Sequence, residues 1–380
     1  MEKTLCSNAE TLEVVALNPS EIHIIYGNDP LQMTQTLLTS IGLERELKPD
    51  MQIGIKPNLV LASPAVSGAT THPQIVEGVI RYLQSKGFRR LVILEGSWVG
   101  ADTREAFRVC GYEAISRKYG VPLIDLKSDS SEARQSGEMS IKVCRTALSL
   151  DYMINVPVLK AHCQTELTCA LKNLKGCLPD SEKRRFHSMG LHKPIAHLAT
   201  ILKPGLNIVD AIAGDLTFEE GGNPIQMDRI FAGKDAVLVD AYAASLLGYA
   251  PSDIAYIPMA QSLGAGSADL GQAVFMEYDE EKKQSCRFQP SGRAKKLAER
   301  VLAKEACSAC YGSLIHALHR LDEAGGLGRL RGTICIGQGF RGQTCAGVGV
   351  GACTAGFSNT VGGCPPTAKS ISEFLAQQCK

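Results

Sequence analysis

Hydrophobic residues follow two different periods along residues 13–260 of this chain. Short apolar runs predict β-strands at Ile22–Tyr26, Gln52–Lys56, Leu91–Glu95, Pro122–Leu126, Tyr152–Val156, Asn207–Asp210 and Arg229–Ala232. Between them, apolar residues that recur every three or four positions predict helices over Pro30–Ile41, His72–Lys86, Arg104–Tyr119, Glu166–Lys175, Ile195–Leu202 and Ala236–Leu247. This alternation predicts an α/β fold, with a mostly parallel sheet that helices cover on both faces.

The pattern changes after residue 271. Ala273–Tyr278 predicts one more strand, but the charged run Asp279–Lys283 and the basic stretch Arg293–Lys304 are typical of solvated segments. We therefore divide the chain into an α/β domain over residues 1–271, a connector over 272–306 and a small cysteine-rich region over 307–380.

Composition narrows the class of protein. The 40 lysines and arginines nearly balance the 39 acidic residues, so no overall field attracts nucleic acid or an anionic membrane. No run approaches the ~20 apolar residues of a membrane-spanning helix, and the N-terminus lacks the apolar core of a secretory signal. We expect a cytoplasmic protein with neither nucleic-acid nor membrane partners. In that compartment its fourteen cysteines serve metal or redox chemistry better than disulfides.

The C-terminal region contains a set of cysteines with the features of cluster ligands. Cys307 and Cys310 form a C-x2-C pair at the start of an apolar helix, where backbone N–H groups favour thiolates. Cys353 lies in a glycine-rich loop that can fold closely around an inorganic cluster. Cys364 precedes two prolines, as the last cysteine does in ferredoxin ligand runs. These four cysteines are the predicted ligands of a [4Fe-4S] cluster.

Zinc is the alternative to the cluster, because four cysteines can also close a tetrahedral zinc site. Zinc ribbons usually repeat the C-x2-C pair, whereas this region has it once. Of the remaining cysteines, Cys345 is the reserve ligand, and Cys335 is expected to pack inside a strand.

Seven segments of the first domain resemble the domain-of-unknown-function family numbered 362. They are KPNLV from Lys56, ATTHP from Ala69, ILEGS from Ile93, NVPVLKAH from Asn155, LTCALKNLKG from Leu167, IVDAI from Ile208 and AGKDAVLVDAYAASLLG from Ala232. The resemblance spans residues 52–248. It implies the fold of that family and an iron-sulfur member of it, but no defined reaction.

The same segments carry the candidate site residues. Lys56 ends a strand and His72 opens a helix, so their loops can present a cation and helix N–H groups to an anion; the alternative is a capped helix beside a solvated lysine. The catalytic candidates are Lys56, His72, Lys160, His162 and Asp210, and the substrate-binding candidates are Asn58, Thr71, Lys172, Asn173, Lys175 and His187. Together they predict a cationic cleft for a small carboxylate or phosphate.

Three functions fit these residues. The first is an anaerobic-type iron-sulfur oxidoreductase that acts on the small anion and exchanges electrons with a redox partner protein. The second is a non-redox lyase, isomerase or racemase in which the cluster or a lysine-histidine pair assists. The third is an electron-transfer or assembly protein without catalysis. No nicotinamide or flavin fingerprint of the G-x-G-x-x-G kind opens a helix after a strand.

Overall fold

The structure, a computed structural model, describes residues 17–216, 221–222, 224–283 and 297–379. An eight-stranded sheet forms its largest part, with the strand order β12-β1-β11-β10-β7-β2-β3-β4. These strands are β1 Glu21–Tyr26, β2 Ile53–Pro57, β3 Leu91–Glu95, β4 Leu123–Asp125, β7 Tyr152–Val156, β10 Leu206–Asp215, β11 Pro224–Gly233 and β12 Val274–Tyr278. All neighbours pair in parallel except β11, which runs antiparallel to both β1 and β10. The predicted α/β fold with a mostly parallel sheet is confirmed.

Helices cover this sheet because its strands are apolar on both faces. Within the described part of this domain, the helices are α1 Pro30–Ile41, α2 Pro73–Ser85, α3 Thr103–Val109, α4 Tyr112–Tyr119, α5 Arg145–Leu148, α6 Ala170–Asn173, α7 Asp180–Met189, α8 His192–Ile201, α9 Ala236–Leu246 and α10 Tyr256–Ser262. Consecutive residues of β1 belong to different cores: Ile24 packs in one hydrophobic cluster and Ile25 in another. The sheet therefore separates two cores, and the functional loops lie at its edge.

Two small hairpins complete the first domain. One pairs β5 Ser131–Ser136 with β6 Met139–Cys144, and the other pairs β8 Lys160–His162 with β9 Glu166–Thr168. The second hairpin follows β7 directly and leads into α6. It therefore brings the segment after residue 168 back over the ends of the central strands.

The C-terminal residues form a separate four-stranded sheet in which all strands are parallel. Its strands are β13 Val301–Ala303, β14 Ile334–Ile336, β15 Cys345–Val350 and β16 Phe357–Val361, and its helices are α11 Ser308–Glu323 and α12 Ala368–Gln378. Leu314 and Leu318 of α11 pack with Ile371 and Leu375 of α12 in a core of their own. The domain boundary that the sequence suggests at residue 307 stays a prediction, and β13, which joins this sheet, precedes it.

Most predicted elements match the observed ones, and the exceptions have local causes. The helix predicted over Arg104–Tyr119 is two helices, because Gly111 adopts a φ of 83° between α3 and α4. The helix predicted over Glu166–Lys175 was wrong at its start, where Glu166–Thr168 forms strand β9. Residues 293–296 of the basic stretch Arg293–Lys304 lie outside the described residues, and Val301–Ala303 near its end forms strand β13, which is largely exposed.

A cationic cavity and a cysteine cluster

The main candidate site is a cavity of about 110 Å³ at the carboxyl ends of β2 and β3. Strand order reverses next to β2, since the chain moves outward to β3 and β4 and then returns to β7 on the other side. Ligands of open α/β sheets bind in crevices at such positions. The lining residues are Lys56, Asn58, Val60, Leu61, Glu95, Gly96, Trp98, Val99, Thr168, Lys172, Asn173, Lys175, Gly176, Lys183 and His187.

Lys56, near the end of β2, forms a buried ion pair on the floor of this cavity. Its Nζ lies 3.0 Å from both carboxylate oxygens of Glu95, 3.0 Å from the carbonyl of Pro57 and 3.2 Å from Oδ1 of Asn173. Glu95 also accepts the backbone N–H groups of Leu59 and Gly96. Because both charges are fully hydrogen-bonded, their burial is offset by direct contacts.

Three asparagines extend this network across the sheet. Asn173 Nδ2 donates to Asn155 Oδ1 at 2.8 Å, and Asn155 Nδ2 donates to Asn207 Oδ1 at 2.9 Å. Asn207 in turn donates to the backbone carbonyls after β11. These buried amides fix the position of α6 over the strand ends, and α6 carries Lys172 and Asn173 into the cavity.

The cavity is positively charged on balance. Among the residues that line it in the described part of the chain, Lys56, Lys172, Lys175 and Lys183 face one carboxylate, Glu95. Burial lowers the pKa of Lys183, against the attraction of Glu95 and Asp180, and its Nζ donates to the carbonyls of Gly96 and Ser97. Such a surplus of lysines in a partly enclosed site attracts anions.

One wall of the cavity is apolar, and its polar floor contains two atoms without a hydrogen-bond partner among the described residues. Val60, Leu61, Val99 and the half-exposed Trp98 form the apolar wall. The two polar atoms are Asn58 Oδ1 and Thr168 Oγ1, and both are buried. Buried polar atoms are normally hydrogen-bonded, so unsatisfied ones in a cavity mark where a ligand or water binds.

The structure brings together six of the predicted residues in this cavity and leaves the others outside it. Lys160 and His162 lie in the β8 hairpin, where both are buried. Lys160 Nζ donates to the carbonyl of Ala69 at 2.7 Å, and His162 Nδ1 accepts the N–H groups of Gln164 and Thr165. These contacts hold the loops of the hairpin, and neither side chain lines the cationic cavity.

Three further candidates, Thr71, His72 and Asp210, do not line the cationic cavity either. Thr71 Oγ1 accepts the N–H of Asn58 and donates to the carbonyl of Val156, so it ties this loop to the sheet. His72 Nδ1 lies 2.9 Å from Asp210 Oδ2, and both residues are separated from the cationic cavity. The predicted single cleft therefore divides into two places.

The four predicted cluster ligands lie near one another in the C-terminal region. Cys307 and Cys310 lie at the start of α11, Cys353 in the short turn after β15, and Cys364 after β16. Cys310 Sγ lies 3.9 Å from where a β-carbon at Gly351 would stand, an ordinary van der Waals distance, and the φ of 93° at Gly351 is what favours glycine there. Cys307 accepts from Gln338 Nε2 at 3.5 Å, and Cys353 accepts from Arg341 Nε at 3.4 Å.

The four thiols are near enough to one another to affect each other's pKa values. Burial and the other three thiols raise the pKa of Cys310 to about 12, and burial with Cys353 and Cys364 raises the pKa of Cys307. A donor set of four cysteines fits an iron-sulfur cluster or zinc. Among the described residues, no three His, Cys, Asp or Glu side chains converge closely enough to hold a single metal ion.

Two other cysteines of this region, Cys335 and Cys345, form a different pair. Cys335 is buried in β14 against Phe340 and Phe357, and Cys345 is exposed at the start of β15. Burial, with Cys345 as the neighbouring charge, raises the pKa of Cys335. Cys335 therefore packs inside the sheet as expected.

Lys183 and Trp98 are site residues that the sequence-based reasoning missed. Lys183 lies in a charged helix whose pattern resembles a solvated surface, and Trp98 follows β3 in a glycine-flanked loop. The signal that was available is the position of Trp98 just beyond a strand end, where active-site loops gather. No local signal distinguishes Lys183 from the other basic residues of its helix.

Comparison with known proteins gives three kinds of match. The sequence profile of the family described as Domain of unknown function (DUF362) matches residues 53–245. A thylakoid-associated protein of Synechocystis sp. is 24% identical over 242 residues, which are 62% of this chain and 75% of that protein. No helix in the described residues is both long and apolar enough to cross a membrane.

Two solved structures are also similar to this chain. One is the lactate racemase apoprotein from Thermoanaerobacterium thermosaccharolyticum, with 12% identity, a TM-score of 0.38 and coverage of 64% of this chain. The other is a protein from Thermotoga maritima, with 14% identity, a TM-score of 0.38 and coverage of 62% of this chain. The chain spans 59% and 60% of those two proteins.

Proposed function

Because this chain belongs to the family described as Domain of unknown function (DUF362), whose description names no reaction, we propose a function from its own side chains. The protein is an iron-sulfur oxidoreductase that binds a small carboxylate or phosphate in the cationic cavity. Its cysteine cluster holds the [4Fe-4S] group, and a redox partner protein exchanges electrons with it.

Anion binding is supported by the lysines and by the two unsatisfied polar atoms of the cavity. Lys172 and Lys175 supply charge beyond the Lys56 and Glu95 pair, and His187 adds a further nitrogen at the rim. Asn58 Oδ1 can accept a hydrogen bond from the ligand, and Thr168 Oγ1 can donate one or accept one. The apolar wall around Trp98 would exclude water from the rest of the ligand.

Cys307, Cys310, Cys353 and Cys364 are the residues that would hold the cluster. Bound there, a cluster supplies one-electron transfer. The N–H groups of Gln338 and Arg341 reach two of the sulfurs and would stabilise negative charge on them, as hydrogen bonds to metal-bound ligands do. The isolated C-x2-C pair and the glycine-rich loop favour this cluster over zinc.

The observation that carries the proposal is the physical link between the two sites. Gln338 Nε2 donates both to Cys307 Sγ and to the carbonyl of Ser188, at 3.5 and 3.1 Å. Ser188 belongs to α7, and the same helix carries Lys183 and His187 into the cationic cavity. One helix thus contacts the cysteine cluster at one end and lines the anion cavity with other residues.

Anaerobic purification, followed by metal analysis and titration with anions, tests this function. We expect iron and sulfide in cluster stoichiometry, a signal in the electron paramagnetic resonance spectrum after reduction, and saturable binding of phosphate or acetate. Oxidation of the reduced cluster by a bound carboxylate or phosphate substrate, chosen from a panel of each class, would support catalysis.

Each other outcome removes a defined part of the proposal. Zinc in place of iron would overturn the cluster. A reducible cluster without anion binding would favour an electron carrier that lacks a substrate. Conversion of a bound carboxylate without any change in the cluster's redox state would favour a lyase, isomerase or racemase.

A further inference from the structure

His72, the partner of Asp210, lines a second cavity of about 340 Å³, which shares no lining residue with the cationic one. The lining of this second cavity consists of His72, Asn28, Gln74, Gln226 and apolar residues. Three of these residues have carboxamide side chains, and the lining includes neither lysine nor arginine among the residues that the structure describes. The two cavities therefore suit ligands of different charge.

Asp210 fixes the histidine from within the protein. The aspartate is fully buried, and its Oδ2 accepts the backbone N–H of His72 at 2.7 Å. The same oxygen lies 2.9 Å from Nδ1 of the His72 ring. Its Oδ1 accepts the N–H of Ile212. A carboxylate in this position keeps the proton of a neutral imidazole on Nδ1, and Nε2 is then an acceptor.

We propose that this second cavity is a binding site for an uncharged, hydrogen-bonding ligand, and that His72 Nε2 is its proton acceptor. The carboxamides of Asn28 and Gln74 offer donors and acceptors to a neutral amide or hydroxyl compound. When His72 takes a proton from the ligand, the resulting imidazolium is paired with Asp210 and the ligand keeps the negative charge until the proton returns. The step is a reversible proton transfer and needs no further reactant.

The charge environment of His72 fits this role. Burial disfavours the imidazolium, but the coulombic attraction and hydrogen bond of Asp210 outweigh it and raise the pKa of His72. A histidine that gains a proton readily, lines a cavity and has its Nδ1 held by a buried carboxylate has the properties of a general base. A histidine that only held the α2 loop in place would need the Asp210 contact but no cavity.

The test uses two histidines as reporters in one sample of the whole protein. In protein labelled with ¹⁵N-histidine, acetamide is titrated as the neutral probe and inorganic phosphate as the anionic probe, with resonances assigned from His72→Gln and His187→Gln. We expect acetamide to shift the His72 signals saturably and phosphate to shift those of His187. Nitrogen shifts should also show the neutral His72 ring protonated at Nδ1.

The failures of the two proposals are distinguishable. If acetamide leaves His72 unchanged, or if Nε2 carries the proton, the second site is overturned, whatever phosphate does at His187. Because His72→Gln could disturb folding, Gln74→Ala serves as a second variant, since this exposed side chain lines the cavity without belonging to the core. It should weaken acetamide binding about fivefold, the effect of one hydrogen bond, and an unchanged affinity would contradict the proposal.

Discussion

Glu95 holds Lys56 with both of its carboxylate oxygens, at 3.0 Å each, and both side chains are almost completely buried. The pair joins the ends of two neighbouring parallel strands, because Lys56 lies near the end of β2 and Glu95 is the last residue of β3. The Lys56 and Glu95 pair on the floor of the cationic cavity therefore has no net charge. The other lysines of the cavity supply its surplus positive charge.

Removal of one partner should reveal how much stability depends on this pair. Glu95→Gln would leave the buried ammonium of Lys56 without its carboxylate, and we expect the free energy of unfolding to fall by about 3–5 kcal/mol. Urea denaturation measures it. The exposed pair of Glu105 and Arg108 provides the control, since Glu105→Gln should leave the urea midpoint nearly unchanged. Equal effects of the two substitutions would contradict the buried role of Glu95.

Anion affinity should depend on the lysines of α6 and the turn that follows it. Lys172→Gln or Lys175→Gln removes a charged donor from the cavity, and we expect about ten- to a hundredfold weaker binding of phosphate or carboxylate. Calorimetric titration measures the change. Lys118→Gln, at an exposed lysine that pairs with Glu77, should leave affinity unchanged. If Lys118→Gln weakened binding as much, the anion would not be bound in this cavity.

Substitution can distinguish the four predicted ligand cysteines from the other cysteines of the same region. Cys310→Ser or Cys364→Ser should abolish the visible absorption of iron-thiolate charge transfer and lower iron content. Cys345→Ser, which changes a thiol beside Cys335 instead, should keep both. The substituted proteins should also unfold more easily after residue 306, because metal binding contributes to folding where ligands hold a loop. An unchanged spectrum in Cys310→Ser would remove it from the ligand set.

The link through Gln338 predicts that cluster loading affects anion binding. Loss of the cluster should weaken phosphate binding, because the loop that contacts α7 loses its anchor. Gln338→Ala should keep the cluster but make phosphate affinity nearly the same with and without it. Parallel titrations of loaded and cluster-free protein measure this coupling. If the Gln338→Ala protein retained the full difference, the coupling would not pass through Gln338.

Asp240 provides a pH test of the packing beneath α6, the helix that carries Lys172 and Asn173 into the cationic cavity. Burial raises its pKa from 3.8 to about 7, although the N–H groups of Ala170 and Leu171 donate to its carboxylate. As pH rises, the unfolded chain therefore releases the Asp240 proton at a lower pH than the folded state does. The associated stability is complete below about pH 4 and is lost as pH rises to about 7.

Asp240→Asn removes this titration, because an amide keeps one acceptor and carries no charge. Relative to the native protein, we expect the variant to gain up to about 4 kcal/mol between about pH 4 and pH 7, and nothing further above that range. Unfolding in urea across these pH values measures the difference. A constant difference at every pH would mean that Asp240 titrates alike in the folded and unfolded states.

The regular part of the fold was predictable from hydrophobic periodicity. Strands β3 and β7 and helix α1 have the predicted bounds, because their apolar runs are bounded by polar or turn residues. The segment Glu166–Lys175 was not, since Glu166 adopts a φ of 57° and its hairpin partner is β8. Pairing with another strand is a tertiary effect that a local pattern does not contain.

The candidate site was predictable where its residues are close together in the sequence. The prediction failed where the site depends on contacts between distant residues. Lys172, Asn173 and Lys175 share one short stretch, so their common location followed from spacing. Lys160 and His162 also share a strand face, but that face turns towards loops of its own domain rather than the cavity. His72 and Asp210 are separated from Lys56 because they pair with each other, whereas Lys56 pairs with Glu95, and sequence spacing does not encode these long-range contacts.

Gly176 imposes a restriction of a different kind on this protein. A β-carbon at this position would stand 2.1 Å from Glu95 Oε1 and 2.5 Å from Lys56 Nζ. Even alanine would therefore have to displace the ion pair, so position 176 can vary only together with it. Among relatives, the presence of glycine here should reveal which of them keep a lysine and a glutamate at the two strand ends.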